Sequence, residues 1–327
     1  MFTRCRNVLT QLVAIPLVVL LSVQGYTRGA EQPGGDAAPK AKTESPAAKS
    51  AADLEKTVSF DLGKDVKLEL VLIPAGSFMM GDANGSADQR PVHKVNITRP
   101  FYMSKYKITM AQLEAVMGPR RGRFGGGPPP TNPATPTTPA TQSAPDAVAK
   151  QTEQPSQPPR PPQNPLNPAG FMTWESCQAF VTKLNEKFAD SGGKFAVPSE
   201  AQWEYACRAG TTTKYSFGDT TENYEEYAWF RPITGGKAHP VGEKKPNAWG
   251  LYDMHGDVWE WVNDWYDRDY YKKSPTDDPP GPASGIAAVL RGGGWNDDPM
   301  YGTSVFRNRN VPRGMSNDQG FRVIFTR

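Results

Sequence analysis

The residues whose types could bind a metal ion are concentrated in the segment 250–261, which reads GLYDMHGDVWEW. Ca²⁺ favours a mixed set of carboxylate and backbone carbonyl oxygens, and glycine lets the backbone turn sharply between such ligands. Side-chain carboxylates and backbone carbonyls could converge here on one cation, from Asp253, Gly256, Val258 and Glu260. The alternative is a tight turn before a core strand, since Trp259 and Trp261 alternate with Glu260. The residues alone leave both interpretations open.

A second group of polar residues follows the glycine run at 292–294. Asp297 and Asp298 are adjacent carboxylates that could bind a hard cation or act as a general base, although Asp-Asp-Pro is also common in solvated turns. We take them as candidate catalytic residues, while the catalytic set itself stays unknown. Arg307 and Arg309 could contact an anion or a substrate; alternatively, they form ion pairs or cap backbone carbonyls.

Cysteine and histidine are scarce, with 3 residues of each in the chain. Cys177 and Cys207 could form one disulfide, provided that their Cα atoms come close enough. Cys177 is interpreted as a core residue rather than a reactive thiol, because it lies on an apolar helical stripe. The histidines lack metal-ligand spacing and are interpreted as hydrogen-bonded loop residues; they are His93, His239 and His255.

Predicted strands and helices must position these residues. Residues 68–73 are apolar throughout and predict a strand, and residues 92–97 and 101–108 predict further strands. Three helices are predicted from the residues that can cap their N-termini, which are Thr109, Thr173 and Ser199. Gly118 is expected to end the first of these helices.

The second and third predicted helices differ in what they present. The second has an apolar face at spacings of three and four, formed by Trp174, Cys177, Phe180, Val181, Leu184 and Phe188. The third places Glu200 and Glu204 on adjacent turns, where they could serve acid–base chemistry, but a structural or exposed role is favoured. Trp203 on the same helix is expected to be buried.

The N-terminal region predicts export. Arg4 and Arg6 precede an apolar run at 9–23 that is short for a membrane span. We interpret residues 1–25 as a signal peptide, with an uncleaved anchor as the alternative, and residues 26–57 as a disordered linker. The chain is therefore expected in the periplasm, in the cell envelope or outside the cell, with no membrane span beyond the signal.

Composition predicts a proline-rich disordered insertion and argues against a nucleic-acid partner. Residues 119–165 contain fourteen of the 32 prolines and cannot bury enough apolar surface to offset their ordering entropy, so we expect a disordered insertion. The net charge of +3 is close to neutral for this length. No basic patch with interleaved aromatic residues occurs, so we expect no nucleic-acid partner.

Several sequence blocks resemble one family when they are taken in order. They are PVHKV at 91–95, FAVPSEAQWEYACRAGTTT at 195–213, HPVGEKKPNAWGLYDM at 239–254, VLRGGGW at 289–295 and FRNRNVPRGMSNDQGFR at 306–322. They resemble the formylglycine-generating enzyme family, also called the sulfatase-modifying factor domain, over residues 58–327. The resemblance implies an α+β fold of the C-type lectin-like type, low in regular secondary structure. It also implies one calcium site at the four residues named above.

The resemblance also shows which chemistry is missing. Family members that make formylglycine oxidise a substrate cysteine with copper held by two cysteines near the C-terminus, and Cu(I) prefers such thiolate ligands. The corresponding residues 296–305 read NDDPMYGTSV, and no cysteine follows Cys207. Gly294 stands where active members commonly carry serine, and Ser304 stands where some relatives have a cysteine that bridges to the position of Cys207. We expect neither copper nor cysteine oxidation.

Two functions remain open from the sequence. The first is a binding or interaction module whose groove is lined by Trp259, Trp295 and Arg307, with a peptide, a glycan or an envelope protein as its ligand. The alternative is an exported enzyme of the same superfamily, of the oxidoreductase type, that modifies a protein or a small molecule. Asp297, Asp298 and Glu260 would be its candidate residues, because function depends on the site rather than on the fold.

Overall fold

Short strands and helices alternate with long loops in the residues that the computed structural model describes, 54–119 and 164–327. The strands of these residues are Thr57–Gly63 (β1), Val66–Ile73 (β2), Gly76–Met80 (β3), His93–Ile97 (β4), Phe101–Ser104 (β5), Lys194–Ala196 (β6), Trp259–Trp265 (β7), Ala288–Arg291 (β8), Asn308–Asn310 (β9), Gln319–Phe321 (β10) and Ile324–Thr326 (β11). The helices are Met110–Met117 (α1), Trp174–Lys187 (α2), Glu200–Arg208 (α3), Tyr224–Tyr227 (α4) and Arg231–Thr234 (α5). The predicted signal peptide, most of the linker and most of the proline-rich insertion lie outside these residues.

The strands form two main sheets. An antiparallel sheet has the order β1-β2-β5-β11-β6, so the C-terminal strand β11 lies between β5 and β6. A second sheet has the order β10-β7-β8-β9, in which β10 and β7 are parallel. Strands β3 and β4 pair separately. This low content of regular structure, with few helices and short curled sheets, agrees with the fold class implied by the sequence.

The helix predictions are confirmed by their caps. The hydroxyl of Thr109 accepts a hydrogen bond from the N–H of Gln112 at the start of α1, and Thr173 and Ser199 cap α2 and α3 in the same way. On α2, the predicted apolar face is buried at Cys177, Phe180, Val181 and Leu184. These signals are local, because each cap bonds to a residue only three positions away.

The strand predicted over residues 101–108 ends earlier than its apolar pattern indicates. Strand β5 stops at Ser104, and the chain then leaves the sheet towards the N-cap of α1. The N–H of Ile108 donates to the carbonyl of Phe321 instead of to a neighbouring strand of the first sheet. This departure directs the side chain of Lys107 into the interior of the domain, where it is fully buried.

Strand β7 lies between two hydrophobic clusters. Trp259 and Trp261 pack into one cluster with Phe180 and Phe321, while Val262 packs into another that contains Trp203. Burying such a side chain stabilises the folded state by about 1.5–3 kcal/mol. The start of β7 is therefore held from both sides, and it carries the residues of the candidate site.

Candidate functional site

Three of the four predicted calcium ligands surround the ammonium group of Lys107. Its Nζ donates hydrogen bonds to the carbonyl oxygens of Gly256, at 3.1 Å, and Val258, at 2.6 Å. It also forms an ion pair with Glu260, in which Nζ and Oε1 are 2.9 Å apart and both side chains are fully buried. Three acceptors therefore face the three N–H donors of the ammonium.

A sharp turn before β7 directs these carbonyls inward. Gly256 has a φ of +79°, a conformation that side chains disfavour, and a Cβ there would collide with the carbonyl oxygen of Trp229. Asp253 and Asp257 flank it with φ values of 56° and 64°. The glycine predicted to allow the turn is thus required both by its backbone angle and by the close approach of Trp229.

The carboxylate of Asp253 is buried but forms no ion pair with Lys107. Its Oδ2 accepts a hydrogen bond from the N–H of Gly242 at 2.8 Å, while its Oδ1 has no hydrogen-bond partner in the described part of the chain. Burial raises the pKa of this carboxyl group. With the ammonium in place, the four predicted ligands do not fit a divalent cation, because three of them already hold a positive charge. The calcium site stays a prediction that metal analysis can decide.

Both carboxylate oxygens of Glu260 are bonded to groups of the protein. Arg322 binds it through two hydrogen bonds, from Nε to Oε2 at 2.6 Å and from Nη2 to Oε1 at 2.9 Å. The indole N–H of Trp203 donates to Oε2 at 2.9 Å. Burial alone would raise its pKa, but the charges of Arg322 and Lys107 outweigh burial and hold the pKa at about 2. Glu260 is therefore a structural anion here and has no free oxygen for a substrate.

Arg307, which the sequence placed in a ligand groove, is buried and paired. Its Nε and Nη2 donate to the two carboxylate oxygens of Glu200, at 2.7 and 2.8 Å. Its Nη1 donates to the carbonyl oxygens of Asp88 and Asp267. These bonds correspond to the ion-pair alternative, so we leave Arg307 out of the ligand-binding surface. The sequence could not distinguish the alternatives, because Glu200 lies 107 positions away.

The two glutamates of α3 serve the framework as well. Glu204 pairs with Arg291, whose side chain is fully buried, and with Arg208 on the next turn of α3 at 3.0 Å. Glu200 and Glu204 are themselves buried rather than exposed. Their roles are structural, as the sequence favoured, but the pairing with arginines from the C-terminal third was not foreseen.

Trp259 reaches the candidate catalytic residues from below the surface. Only 4% of it is exposed, and its indole N–H donates to Asp297 Oδ2 at 2.7 Å. The backbone N–H of Gly294 donates to the same oxygen at 2.9 Å. Burial raises the pKa of Asp297, a half-buried carboxyl group with Asp318 nearby. Trp259 thus positions Asp297 and does not line an open groove.

Gly294 explains how Asp297 comes to occupy this place. A Cβ at Gly294 would lie 3.1 Å from Asp297 Oδ2, 3.0 Å from Trp259 Cδ1 and 3.0 Å from Asp318 Oδ2. The carboxylate therefore fills the space into which a serine at this position would project. The aspartate and the glycine are compatible with each other, and the serine of active members would need its neighbours to shift.

A half-exposed surface remains next to Asp297. The guanidinium of Arg231 forms an ion pair with Asp298 at 2.7 Å, and its backbone N–H donates to the carbonyl of Asp297. Trp295 is partly exposed and held by its backbone, which donates to the carbonyl of Asp257. Tyr301 is 36% exposed. We call this surface the acidic face; its members are Arg231, Trp295, Asp297, Asp298 and Tyr301.

Four residues in or next to the site were not predicted from the sequence: Lys107, Arg231, Tyr301 and Asp318. Arg231 and Asp298 are separated by 67 positions, and no local pattern links them. One feature of the sequence could have indicated Lys107, because this charged residue interrupts the apolar pattern between Tyr106 and Ile108. That interruption could have indicated a buried charge, but its acceptors could not have been identified without the fold.

Cys177 and Cys207, which are the cysteines of the described residues, are both free and buried. Burial raises the pKa of the Cys207 thiol to about 12 and that of Cys177 well above its usual value. Cys207 Sγ lies 3.6 Å from the hydroxyl of Ser304, the residue that the resemblance implies in place of a bridging cysteine. The disulfide that the sequence left open is therefore not formed, and neither thiol is ionised at neutral pH.

The histidines are hydrogen-bonded, as predicted, but His93 is the first residue of β4 and not a loop residue. His255 is buried, donates from Nδ1 to the carbonyl of Gly302 at 2.7 Å and accepts at Nε2 from Ser216. Burial lowers its pKa to about 4, so the ring is neutral. His239 stacks on Trp229 with ring centroids 3.7 Å apart. No group of three or more His, Cys, Asp and Glu residues in the described ranges has the arrangement of a metal site.

Comparisons with known proteins agree with this framework. Residues 60–327 match the family model of the sulfatase-modifying factor enzyme 1-like domain. The chain is 31% identical over 284 residues to the formylglycine-generating enzyme of Streptomyces coelicolor, covering 77% of this chain and 87% of that protein. It is 27% identical over 260 residues to the serine/threonine-protein kinase pkn1 of Chlamydia pneumoniae, covering 78% of this chain but 37% of the kinase.

Two solved structures are similar over most of the chain. Treponema denticola variable protein 1 superposes with a TM-score of 0.66 and 26% identity, covering 83% of this chain and 99% of that chain. PvdO from Pseudomonas aeruginosa superposes with a TM-score of 0.65 and 27% identity, covering 83% and 98%. In the described residues of this chain, no helix has both the length and the apolar character needed to cross a membrane.

Proposed function

The chain belongs to the sulfatase-modifying factor enzyme 1-like domain family, and we propose that it acts as an exported binding module without cysteine-oxidising activity. One observation carries the proposal: the carboxylate of Asp297 fills the space beside Gly294 and Trp259, in the segment where thiol ligands would be needed. Cys177 and Cys207 are buried and protonated, so neither can supply a copper ligand.

The acidic face is the surface that we assign to ligand binding. It combines two carboxylates, a guanidinium and two aromatic side chains. The guanidinium of Arg231 pairs with Asp298, and the backbone N–H of Tyr301 donates to the carbonyl of Asp298. Aromatic faces and fixed carboxylates suit ligands rich in hydroxyl or amino groups, because the rings stack while the carboxylates accept hydrogen bonds. A glycan or a basic peptide of the cell envelope has this chemistry, whereas nucleic acid would be repelled by the carboxylates.

The similar proteins have names that indicate different activities, which supports the proposal that this chain need not share the activity of any one of them. One is named a formylglycine-generating enzyme, another a serine/threonine-protein kinase and a third a variable protein. The chain spans 37% of the kinase, so that protein has further parts. A shared framework with different names is the pattern expected when function depends on surface residues rather than on the fold.

Export is part of the proposal and rests on the N-terminal sequence. Arg4 and Arg6 precede the apolar run at 9–23, and small residues follow it. Both later cysteines are buried and unpaired, and a domain of this size can bury its core without disulfides.

An enzyme with carboxylate chemistry is the second candidate. Asp297 favours it, because burial raises the pKa of this carboxyl group and Asp318 lies close by. A raised pKa brings a carboxyl group closer to the range in which general acid–base catalysis is efficient. In that case a variant such as Asp297→Asn would abolish turnover of a ligand that it still binds.

A binding experiment tests the proposal with a matched control. The purified chain is screened on glycan and peptide arrays, and the dissociation constant of the best ligand is then measured by calorimetry. Trp295→Ala and Asp298→Asn should each weaken binding at least tenfold while leaving the melting temperature unchanged. The control is Glu175→Gln, which breaks another exposed ion pair, with Arg313. If the control weakens binding as much as Asp298→Asn does, the acidic face is not the ligand site.

A further inference from the structure

Lys107 is the one lysine that is fully buried in the described part of the chain. Its ammonium lies among the carbonyl oxygens of Gly256 and Val258 and the carboxylate of Glu260, at 3.1, 2.6 and 2.9 Å. Each of the three N–H donors can therefore reach an oxygen. The group is surrounded by oxygens of the turn before β7 and of the strand itself, as a bound cation would be.

This region contains more oxygen ligands than the three N–H donors of the Lys107 ammonium can use. Asp253 is buried and interacts electrostatically with Lys107 and Glu260, and its Oδ1 has no hydrogen-bond partner in the described residues. Glu260 is also bound by Arg322, so the anion has two cationic partners. An unpaired charge in a protein interior is strongly destabilising, which is why both members of such a pair need fixed partners. The turn thus provides a fixed set of oxygens for a positive charge.

We infer that Lys107 is a built-in cation that replaces a divalent metal ion at Gly256, Val258 and Glu260, so that the domain needs no Ca²⁺ to fold. The residue types at these positions are those that Ca²⁺ prefers. The space among them is occupied by a covalently attached charge, which cannot dissociate or be chelated. The inference concerns the framework and is independent of the proposed binding function.

Removing the Lys107 side chain should convert the turn before β7 into a metal-binding site. Lys107→Ala leaves a negative Glu260 and two carbonyl oxygens around an empty space, with the buried Asp253 near enough to interact electrostatically. Ca²⁺ takes oxygen ligands of these kinds and can add water molecules to complete its shell. Lys107→Met fills the same space with an uncharged side chain of similar length, so it should lose the charge without admitting an ion.

The experiment measures metal content and melting temperature for the full-length chain and its variants. The wild type should contain no stoichiometric Ca²⁺ after purification in its presence, and its melting temperature should be the same in Ca²⁺ and in EGTA. In EGTA, both Lys107 variants should melt on the order of 10 °C lower, since each leaves a buried carboxylate without one partner. Ca²⁺ should restore Lys107→Ala saturably and leave Lys107→Met unchanged. Adding Glu260→Gln to Lys107→Ala should abolish the recovery.

The outcomes are decisive in both directions. Stoichiometric Ca²⁺ in the wild type, or a melting temperature that falls in EGTA, would overturn the inference and support the calcium site predicted from the sequence. A folded Lys107→Ala protein that ignores Ca²⁺ would also overturn it, because the oxygens would then not form a cation site. If Lys107→Ala folds only when Ca²⁺ is present, the inference is supported. If it does not fold at all, the measurements on the wild type still decide.

Discussion

At the scale of single residues, Glu260 has the densest set of polar contacts at the start of β7. It binds the ammonium of Lys107, the guanidinium of Arg322 and the indole N–H of Trp203. Such a cluster is stable only when every member is present, because removal of one charge leaves another buried without a partner. Glu260, which the sequence predicts as a metal ligand, is therefore a buried anion whose polar partners all come from the protein itself.

Glu260→Gln should accordingly destabilise the domain. The amide retains the size of the side chain but leaves the charges of Lys107 and Arg322 without their anion, which typically costs about 3–5 kcal/mol. Urea unfolding should show this as a lower midpoint with an unchanged slope. Glu175→Gln, at the exposed pair with Arg313, is the matched control and should leave the midpoint in place. Equal effects of the two substitutions would contradict the central role of Glu260.

Asp264 gives the pH dependence of stability a definite sign. Burial, followed by the charge of Glu200, raises its pKa from 3.8 to about 8. Between these values the folded protein holds a proton that the unfolded chain has released, so the free energy of unfolding should fall as the pH rises through this window. In the wild type, the backbone N–H of Glu200 donates to Asp264 Oδ2 at 2.7 Å. The Asp264→Asn variant keeps an oxygen that can accept this bond, but its side chain does not titrate.

The measurement for Asp264 is thermal unfolding of both proteins at pH 5 and pH 8. The melting temperature of the wild type should drop between these values by more than that of Asp264→Asn. Parallel behaviour of the two proteins would show that Asp264 does not titrate in this window.

At the scale of elements, the turn that leads into β7 sets the site. The positive φ of Gly256 and its approach to Trp229 force the carbonyls of residues 256 and 258 inward. The same turn places Asp257, whose carbonyl accepts the N–H of Trp295. One short segment therefore connects the buried cation to the acidic face.

Gly256→Ala tests this role against a glycine with a similar backbone. Both Gly256 and Gly63 have a positive φ, at 79° and 93°, but a Cβ at Gly63 meets nothing within 4 Å. Gly63→Ala should cost only the backbone strain, about 1 kcal/mol. Gly256→Ala adds a collision with the carbonyl of Trp229 and should cost clearly more, measured by urea unfolding. Similar costs at the two positions would show that the close approach is unimportant.

The elements also show how far the sequence could predict the structure. The N-caps at Thr109, Thr173 and Ser199 were identified correctly because capping is decided within one turn of helix. The end of β5 at Ser104 was not, because its pairing partners β2 and β11 are distant in the chain. A strand boundary set by such partners has no signature in the local pattern of apolar residues.

The sequence predicted part of the candidate site, but it did not predict Lys107 or the contacts between distant segments. Asp253, Gly256, Val258 and Glu260 do lie together, because they belong to one short segment. That Lys107 lies among three of them depends on contacts that span 149 and 151 positions. Arg307 was misplaced for the same reason, since its partner Glu200 comes from α3.

At the scale of the whole molecule, the chain combines a family framework with a changed surface. Residues 60–327 match the family, and the strands, caps and buried ion pairs that hold the fold are present. Gly294, Asp297 and Ser304 lie in the region where the resemblance to the family implies a copper site and a disulfide. These residues are mutually compatible in the structure, because Asp297 fills the space that Gly294 leaves.

The most direct test of this account is cysteine oxidation on a peptide that carries a sulfatase cysteine motif. The purified chain is incubated with the peptide, copper and a reductant, and the peptide is followed by mass spectrometry, with the formylglycine-generating enzyme of Streptomyces coelicolor as the positive control. We predict that the peptide keeps its thiol in the presence of this chain while the control converts it. Conversion to formylglycine by this chain would contradict the account, because its described residues offer no accessible thiolate for copper.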